Sequence, residues 1–188
     1  TVDGTLHLEG NMTFEEFVSS SQGAVFNVGL YGTVYFNGKL VIKHCYSTRG
    51  ATAIFNLGNI EIDPGNASTD DKFDVFENVA GLNASYPDAV VNAGDMTMKN
   101  VVRISENYHV THEDTSDSKV YDITKSYADN IATLGKEKWV KLSNISVIKD
   151  HPIQDAGIAP DSVINGHVID TLNPGTHLTD KAFMEIDQ

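Results

Sequence analysis

The chain has 188 residues, enough to bury a full core in one domain, and sets 26 acidic side chains against 13 basic ones for a formal charge of −13. That balance opposes binding to nucleic acid or to an anionic membrane surface. With 21% charged and 40% hydrophobic residues the composition is that of a folded protein, and no apolar run is long enough for a membrane-spanning helix or a signal core. One cysteine, Cys45, rules out an internal disulfide framework. Starting at Thr1 and not at Met, the chain reads as a processed or excised product.

In chain order, apolar residues first alternate at period two over residues 5–14, the pattern of a half-buried strand. Residues 13–20 overlap it with a helical candidate, because Thr13 and Glu16 have capping-box spacing. Ala24-Val-Phe-Asn-Val-Gly29 follows, and then strand alternation over 33–45, where Cys45 reads as a buried, inert thiol. Ala53-Ile-Phe-Asn-Leu-Gly58 repeats the earlier spelling and runs into a strand at 59–62. Residues 63–88 read as a variable loop, and their acidic stretch 68–74 offers Asp70, Asp71 and Asp74 as candidate calcium ligands. A solvated loop is the plain alternative.

Ala89-Val-Val-Asn-Ala-Gly94 is the third copy, followed by strands over 95–104. His109, His112, Glu113 and Asp114 bring metal-ligating types together without zinc-finger or metalloprotease spacing, so a polar loop over 108–126 is expected. Residues 126–135 predict the second helix, with Gly135 suited to its C-terminal cap. Strand patterns return over 138–148 and 167–172, with 151–160 as a loop and 182–186 as a closing cap or edge strand. Four Asn-x-Ser/Thr triplets, at Asn11, Asn66, Asn83 and Asn144, are glycosylation acceptors if the chain is secreted.

The three copies stand 29 and 36 residues apart from Asn27 to Asn56 to Asn92. Constant spelling with unequal spacing predicts a coiled scaffold in which these asparagines stack as an amide ladder, while loops elsewhere vary in length. Phe26 and Phe55 then become equivalent core stacks, and Tyr31, Tyr35, Phe36 and Tyr46 a candidate sugar-stacking strip.

Carried by Gly23, Ala24, Asn27, Gly29, Gly50, Ala53, Asn56, Gly58, Ala89, Asn92, Gly94 and Asn100, the pattern over about 1–110 resembles the repeats of parallel β-helix surface proteins. Among them are the polymorphic outer-membrane proteins and related bacterial adhesins. The doubled glycine of those repeats is absent here, and their Phe-x-x-Asn companion motif survives as Ile104-Ser-Glu-Asn107. The resemblance implies an extracellular scaffold that presents loops for adhesion.

The expected fold is therefore all-β: a short right-handed parallel β-helix forming one domain over 1–188, regular to 110 and less regular from 111 to 188. An antiparallel β-sandwich is the alternative. The expected function is a non-catalytic structural or adhesive module at the cell surface or outside the cell. Its partners would be a surface ligand or carbohydrate, or copies of itself, with no nucleic acid, no membrane insertion and no cofactor beyond the calcium candidate. A filament or layer subunit joined by strand augmentation is the second reading. A polysaccharide lyase or hydrolase on the same scaffold is the third, for which Arg49, Arg103 and Asp88 are the residue types required.

Overall fold

A computed structural model describes residues 1–65, 72–110, 121–134, 139–141, 145–148, 150–151, 153–159, 162–164, 166–169 and 174–177. The chain winds as a parallel β-helix with four strands to the turn. The first turn comprises β1 (Thr5–Glu9), β2 (Met12–Glu15), β3 (Val18–Ser19) and β4 (Phe26–Val28); the second, β5 (Thr33–Asn37), β6 (Leu40–Lys43), β7 (Tyr46–Ser47) and β8 (Ile54–Asn56). The third is β9 (Asn59–Asp63), β10 (Phe73–Phe76), β11 (Val79–Ala80) and β12 (Val90–Asn92). The fourth opens with β13 (Asp95–Asn100), β14 (Val102–Ile104) and β15 (Tyr108–Val110). It is then interrupted by helix α1 (Tyr127–Leu134) and by β16 (Trp139–Lys141), and resumes at β17 (Ile145–Ile148). β18 (Ile153–Ile158), β19 (Val163–Ile164), β20 (Gly166–Ile169) and β21 (Pro174–His177) complete the series.

Corresponding strands of successive turns form four walls: β1-β5-β9-β13-β18, β2-β6-β10-β14-β19, β3-β7-β11-β15-β16 and β4-β8-β12-β17-β20-β21. All pairings are parallel except β15 with β16 and β20 with β21. Parallel ladders between strands 26 or more residues apart through the first four turns exclude the antiparallel sandwich, whose neighbours are joined by hairpins.

Period-two alternation produces this because every other side chain points inward. Val34 and Phe36 of β5, Leu40 and Ile42 of β6, and Ile60 and Ile62 of β9 are almost wholly buried and share one core. Edge-to-face contacts climb through it from turn to turn, Phe14 to Phe26 at 5.1 Å, Phe26 to Phe36 at 5.2 Å and Phe36 to Phe73 at 5.3 Å.

Several expectations are corrected. Residues 13–20 are not helical: β2 and β3 meet there at a bend where Glu16 has φ 62°. Residues 63–88 are not one loop, since β10 and β11 complete the third turn within them, and β18 lies within the expected loop 151–160. The helix expected at 126–135 is present as α1, with Ser126 Oγ accepting the Asp129 amide at 3.1 Å as its cap. Residues 182–186 lie outside the described part.

The amide ladder is real but differently composed. Asn56 Nδ2 donates to Asn92 Oδ1 at 2.7 Å, and the two asparagines are partners in the β8–β12 ladder. Asn27 is not in that column, for Val28 is the residue opposite Asn56 and Asn27 faces outward opposite Phe55. The expected equivalence of Phe26 and Phe55 fails for the same reason, Phe26 being a core residue and Phe55 only half-buried. The cause lies upstream: seven positions separate Ser19 from Phe26 and seven separate Ser47 from Ile54, so the register advances by 28 residues where the spelling advances by 29.

A second ladder replaces the missing rung. Asn78 Nδ2 donates to Asn107 Oδ1 at 2.9 Å and to the Ile42 carbonyl at 3.1 Å, while Asn78 Oδ1 accepts the Cys45 amide at 3.0 Å. Its sequence signal is the Glu-Asn pair at 77–78 and 106–107, 29 residues apart.

Candidate functional site

Two corners of the β-helix gather chemistry. At the corner between the second and third walls, each turn places a non-glycine residue at positive φ: Glu16 (62°), His44 (57°), Glu77 (52°) and Glu106 (58°). Left-handed backbone costs a side-chain-bearing residue roughly 1–2 kcal/mol. The Asn78 and Asn107 side chains, bonded to corner amides from inside, help to hold the bend, and the αL side chains are turned outward in a column.

His44 is the centre of that column. Its Nδ1 lies 3.0 Å from Glu15 Oε1 in the turn before and its Nε2 3.0 Å from Glu77 Oε2 in the turn after. The ring stacks on Tyr127 at 4.2 Å with a 6° interplanar angle. Glu16 turns to the start of α1, where both its oxygens face the Tyr127 amide at 3.1 and 3.0 Å. A carboxylate suits that place because the first amides of a helix lack partners within it. Lys43 Nζ sits 3.1 Å from Glu15 Oε1, and this bond, against a small opposing effect of burial and with help from His44, holds the Glu15 carboxyl below its ordinary range.

Helix α1 covers the outer face of the third wall. Tyr46, Val79 and Val110 pack there with Tyr121, Tyr127 and Leu134, and Tyr46 stacks on Tyr121 at 4.1 Å. Cys45 lies beneath this corner, fully buried as expected, and burial pushes its thiol up to about 12.

The other corner joins the fourth wall to the first. Gly29 to Gly32 form a turn closed by the Gly32 amide on the Gly29 carbonyl at 2.8 Å, and its tip exposes Leu30 by 71% and Tyr31 by 88%. Beside it runs an open cleft of about 250 Å³. Thr33, Asn59 and Asp95, one from each of three turns, line one side, and His151 lies at the far end. Gly58 and Gly94 line this corner because a Cβ at either would stand 2.3 Å from a carbonyl oxygen of the turn before. His151 is anchored through its backbone, whose carbonyl accepts from Asn92 Nδ2 at 2.9 Å.

The other residues singled out in the sequence are scattered. Of the calcium candidates, Asp70 and Asp71 lie outside the described residues. Asp74 is buried on β10, near Lys72 and Arg103 at 3.7 Å each. Burial raises its pKa, with Arg103 and Lys72 opposing only in part. A buried carboxylate facing two cations does not have the open, flexible surroundings expected of a calcium ligand. Arg103 packs over the Phe76 ring and pairs with Glu106, Asp88 is bonded to Ser146 behind the fourth wall, and Arg49 is exposed. The four candidate aromatics divide likewise: Tyr31 is at the cleft, Tyr35 stacks on His7 on the outer face of the first wall, and Phe36 and Tyr46 are buried. His109 belongs to β15, while His112, Glu113 and Asp114 lie outside the described residues.

The walls and their register define the class: a parallel β-helix whose corners carry the polar and aromatic groups. Comparison with family models, with curated proteins and with solved structures gives no match. No helix among the described residues is long and apolar enough to cross a membrane.

Proposed function

We propose that the chain is a non-catalytic structural and adhesive module, displayed at a cell surface or outside the cell, that binds a carbohydrate along the fourth-to-first corner. The observation that carries this reading is the Leu30–Tyr31 turn, which holds an almost fully exposed aromatic ring at the mouth of the cleft. A tyrosine face offers an apolar platform with a polar tip. Beside it Thr33, Asn59 and Asp95 come from strands paired in register, so their donors and acceptors recur along the axis at about the 4.8 Å strand spacing. A few convergent polar groups around an apolar contact are what a small-molecule site requires. The negative charge of the chain favours a neutral or basic glycan over an acidic one. The resemblance of the repeats to surface-protein β-helices points the same way.

The test is binding of the purified chain to an array of neutral, basic and acidic glycans, repeated with Tyr31→Ala and Asn59→Ala. Tyr31→Ala is expected to weaken binding about tenfold or more while leaving the melting temperature unchanged. Binding indifferent to both substitutions removes the site, and release of reducing ends or unsaturated sugars from any polysaccharide replaces the reading with an enzymatic one.

A specific observation also favours the assembly reading. In the first turn β1, β2 and β3 are paired on one side only, over the partly buried Leu6, Leu8, Met12 and Phe14, while Val2 bridges the other side of β4. Open edges of this kind pair with other strands. Size-exclusion chromatography over a concentration range, with electron microscopy, separates a monodisperse module from a filament.

A further inference from the structure

The corner column holds a feature that adhesion does not use. Glu15 and Glu16 of the first turn and His44 of the second each offer one ligand atom, and all of these lie within 4.8 Å of one another. The imidazole is fixed from two directions, by stacking on Tyr127 and by Glu77 Oε2, 3.0 Å from Nε2. With the Nε2 proton donated to Glu77, Nδ1 turns its lone pair on Glu15 Oε1, 3.0 Å away. In that tautomer both atoms are acceptors, and either a second ring proton or a cation seated to one side of the line between them satisfies the pair. Two atoms bound tetrahedrally to one ion at ~2.0–2.2 Å are themselves about 3.4 Å apart, so His44 Nδ1 and Glu15 Oε1, at 3.0 Å, need to part by only a few tenths of an ångström to share a metal. A carboxylate on the second nitrogen of a ligating histidine is the arrangement that orients the ring and raises its basicity. One Glu16 oxygen suffices for the Tyr127 amide, which leaves the other for the ion. Lys43 stands against an ion here, since it shares Glu15 Oε1, but its long side chain is partly exposed and reaches solvent.

We propose that this corner is a transition-metal site, with His44 Nδ1, Glu15 and Glu16 as ligands, Glu77 as the carboxylate that orients the imidazole, and water completing the shell. Mixed nitrogen and oxygen donors select a borderline divalent ion, Zn²⁺ first, over the all-oxygen ions Ca²⁺ and Mg²⁺. Two carboxylates and a neutral imidazole match its charge. The bound ion clamps the first turn to the second and, through Glu16, fastens both to the start of α1.

The test uses the whole chain, stripped with a chelator and titrated at near-neutral pH with Zn²⁺ by calorimetry and with Co²⁺ by visible absorption. One ion per chain is expected, with a metal-dependent rise in melting temperature. Glu15→Gln, at a largely solvated side chain, and His44→Asn, whose side chain tolerates the left-handed backbone, are each expected to weaken binding about tenfold or more; Glu77→Gln is expected to weaken it by about 10–100-fold. Far-UV circular dichroism establishes that each variant retains the fold. Absence of uptake at millimolar Zn²⁺ overturns the proposal, as does uptake that Glu15→Gln and His44→Asn leave unchanged. In either case a proton joins His44 to its two carboxylates and the corner is an ionic ladder only.

Discussion

The first turn and the interior turns are built from the same pattern and differ in what surrounds them. Leu6, Leu8, Met12 and Phe14 point inward as Val34, Phe36, Leu40 and Ile42 do, but the former are only partly buried and the latter almost completely. An inward side chain in a solenoid is covered by the turns on both sides of its own, and the first turn has one such neighbour. The groups with chemistry left over also gather at this end: Glu15, Glu16, Leu30 and Tyr31 are all in the first turn or in the corner that leaves it. The interior turns pair their buried asparagines with one another, as Asn56, Asn92, Asn78 and Asn107 show, and carry the two corners onward through Thr33, Asn59, Asp95, His44 and Glu77.

The comparison is tested most strongly at the aromatic stack. Phe36→Ala in the interior is expected to cost about 3–5 kcal/mol in chemical denaturation, and Phe14→Ala at the end roughly half as much. Equal losses would mean that the first turn is as well covered as the second. The ladders come next. Asn78→Ala strips the Cys45 amide and the Ile42 and Phe76 carbonyls of their partner, for an expected loss of about 2–4 kcal/mol. Asn27→Ala, which removes one 3.5 Å bond to the Gln22 carbonyl, is expected to stay within about 0.5 kcal/mol. A large effect at Asn27 would restore the register that spelling alone predicts.

The one substitution expected to stabilise the fold is at Asp74. Its folded pKa is raised by burial above the unfolded value, so between the two the folded state holds more protons, and raising the pH through that window weakens the fold. Asp74→Asn is thus expected to stabilise the chain at neutral pH by up to about 1 kcal/mol, its 3.7 Å contacts to Lys72 and Arg103 being too long to offset desolvation. The gain should shrink as pH falls towards the ordinary aspartate range, as melts of the two proteins at several pH values would show. A gain that grows with acidity would contradict the assignment.

Strands over 5–14, 33–45, 59–62 and 95–104 were legible because an alternating stretch has only one way to bury its apolar side. The helix at 126–135 was legible as a short segment, its expected Gly135 cap lying outside the described residues, whereas 13–20 imitated one because Thr13 and Glu16 share capping-box spacing by coincidence. β18 carries no alternation in its sequence because Gln154, Asp155 and Ala156 are exposed and the strand is held by its ladder to β13. Of the two corners, the sequence exposed Tyr31 as an aromatic outside the alternation. The meeting of Glu15, His44 and Glu77 was closed to it, since each is an ordinary surface residue until three turns are stacked.

By itself the sequence determined that the chain would wind into walls of inward-pointing apolar residues, since period-two burial, repeated glycines and a lone cysteine act through neighbours in the chain. Only the tertiary structure decided which residue of one turn lies over which of the next. That register is set by backbone hydrogen bonds between strands about 25 to 35 residues apart and by the length of the corners between them. A 28-residue register against a 29-residue spelling put Asn27 outside its ladder, and the longer corner between Val28 and Thr33 raised Tyr31 into solvent.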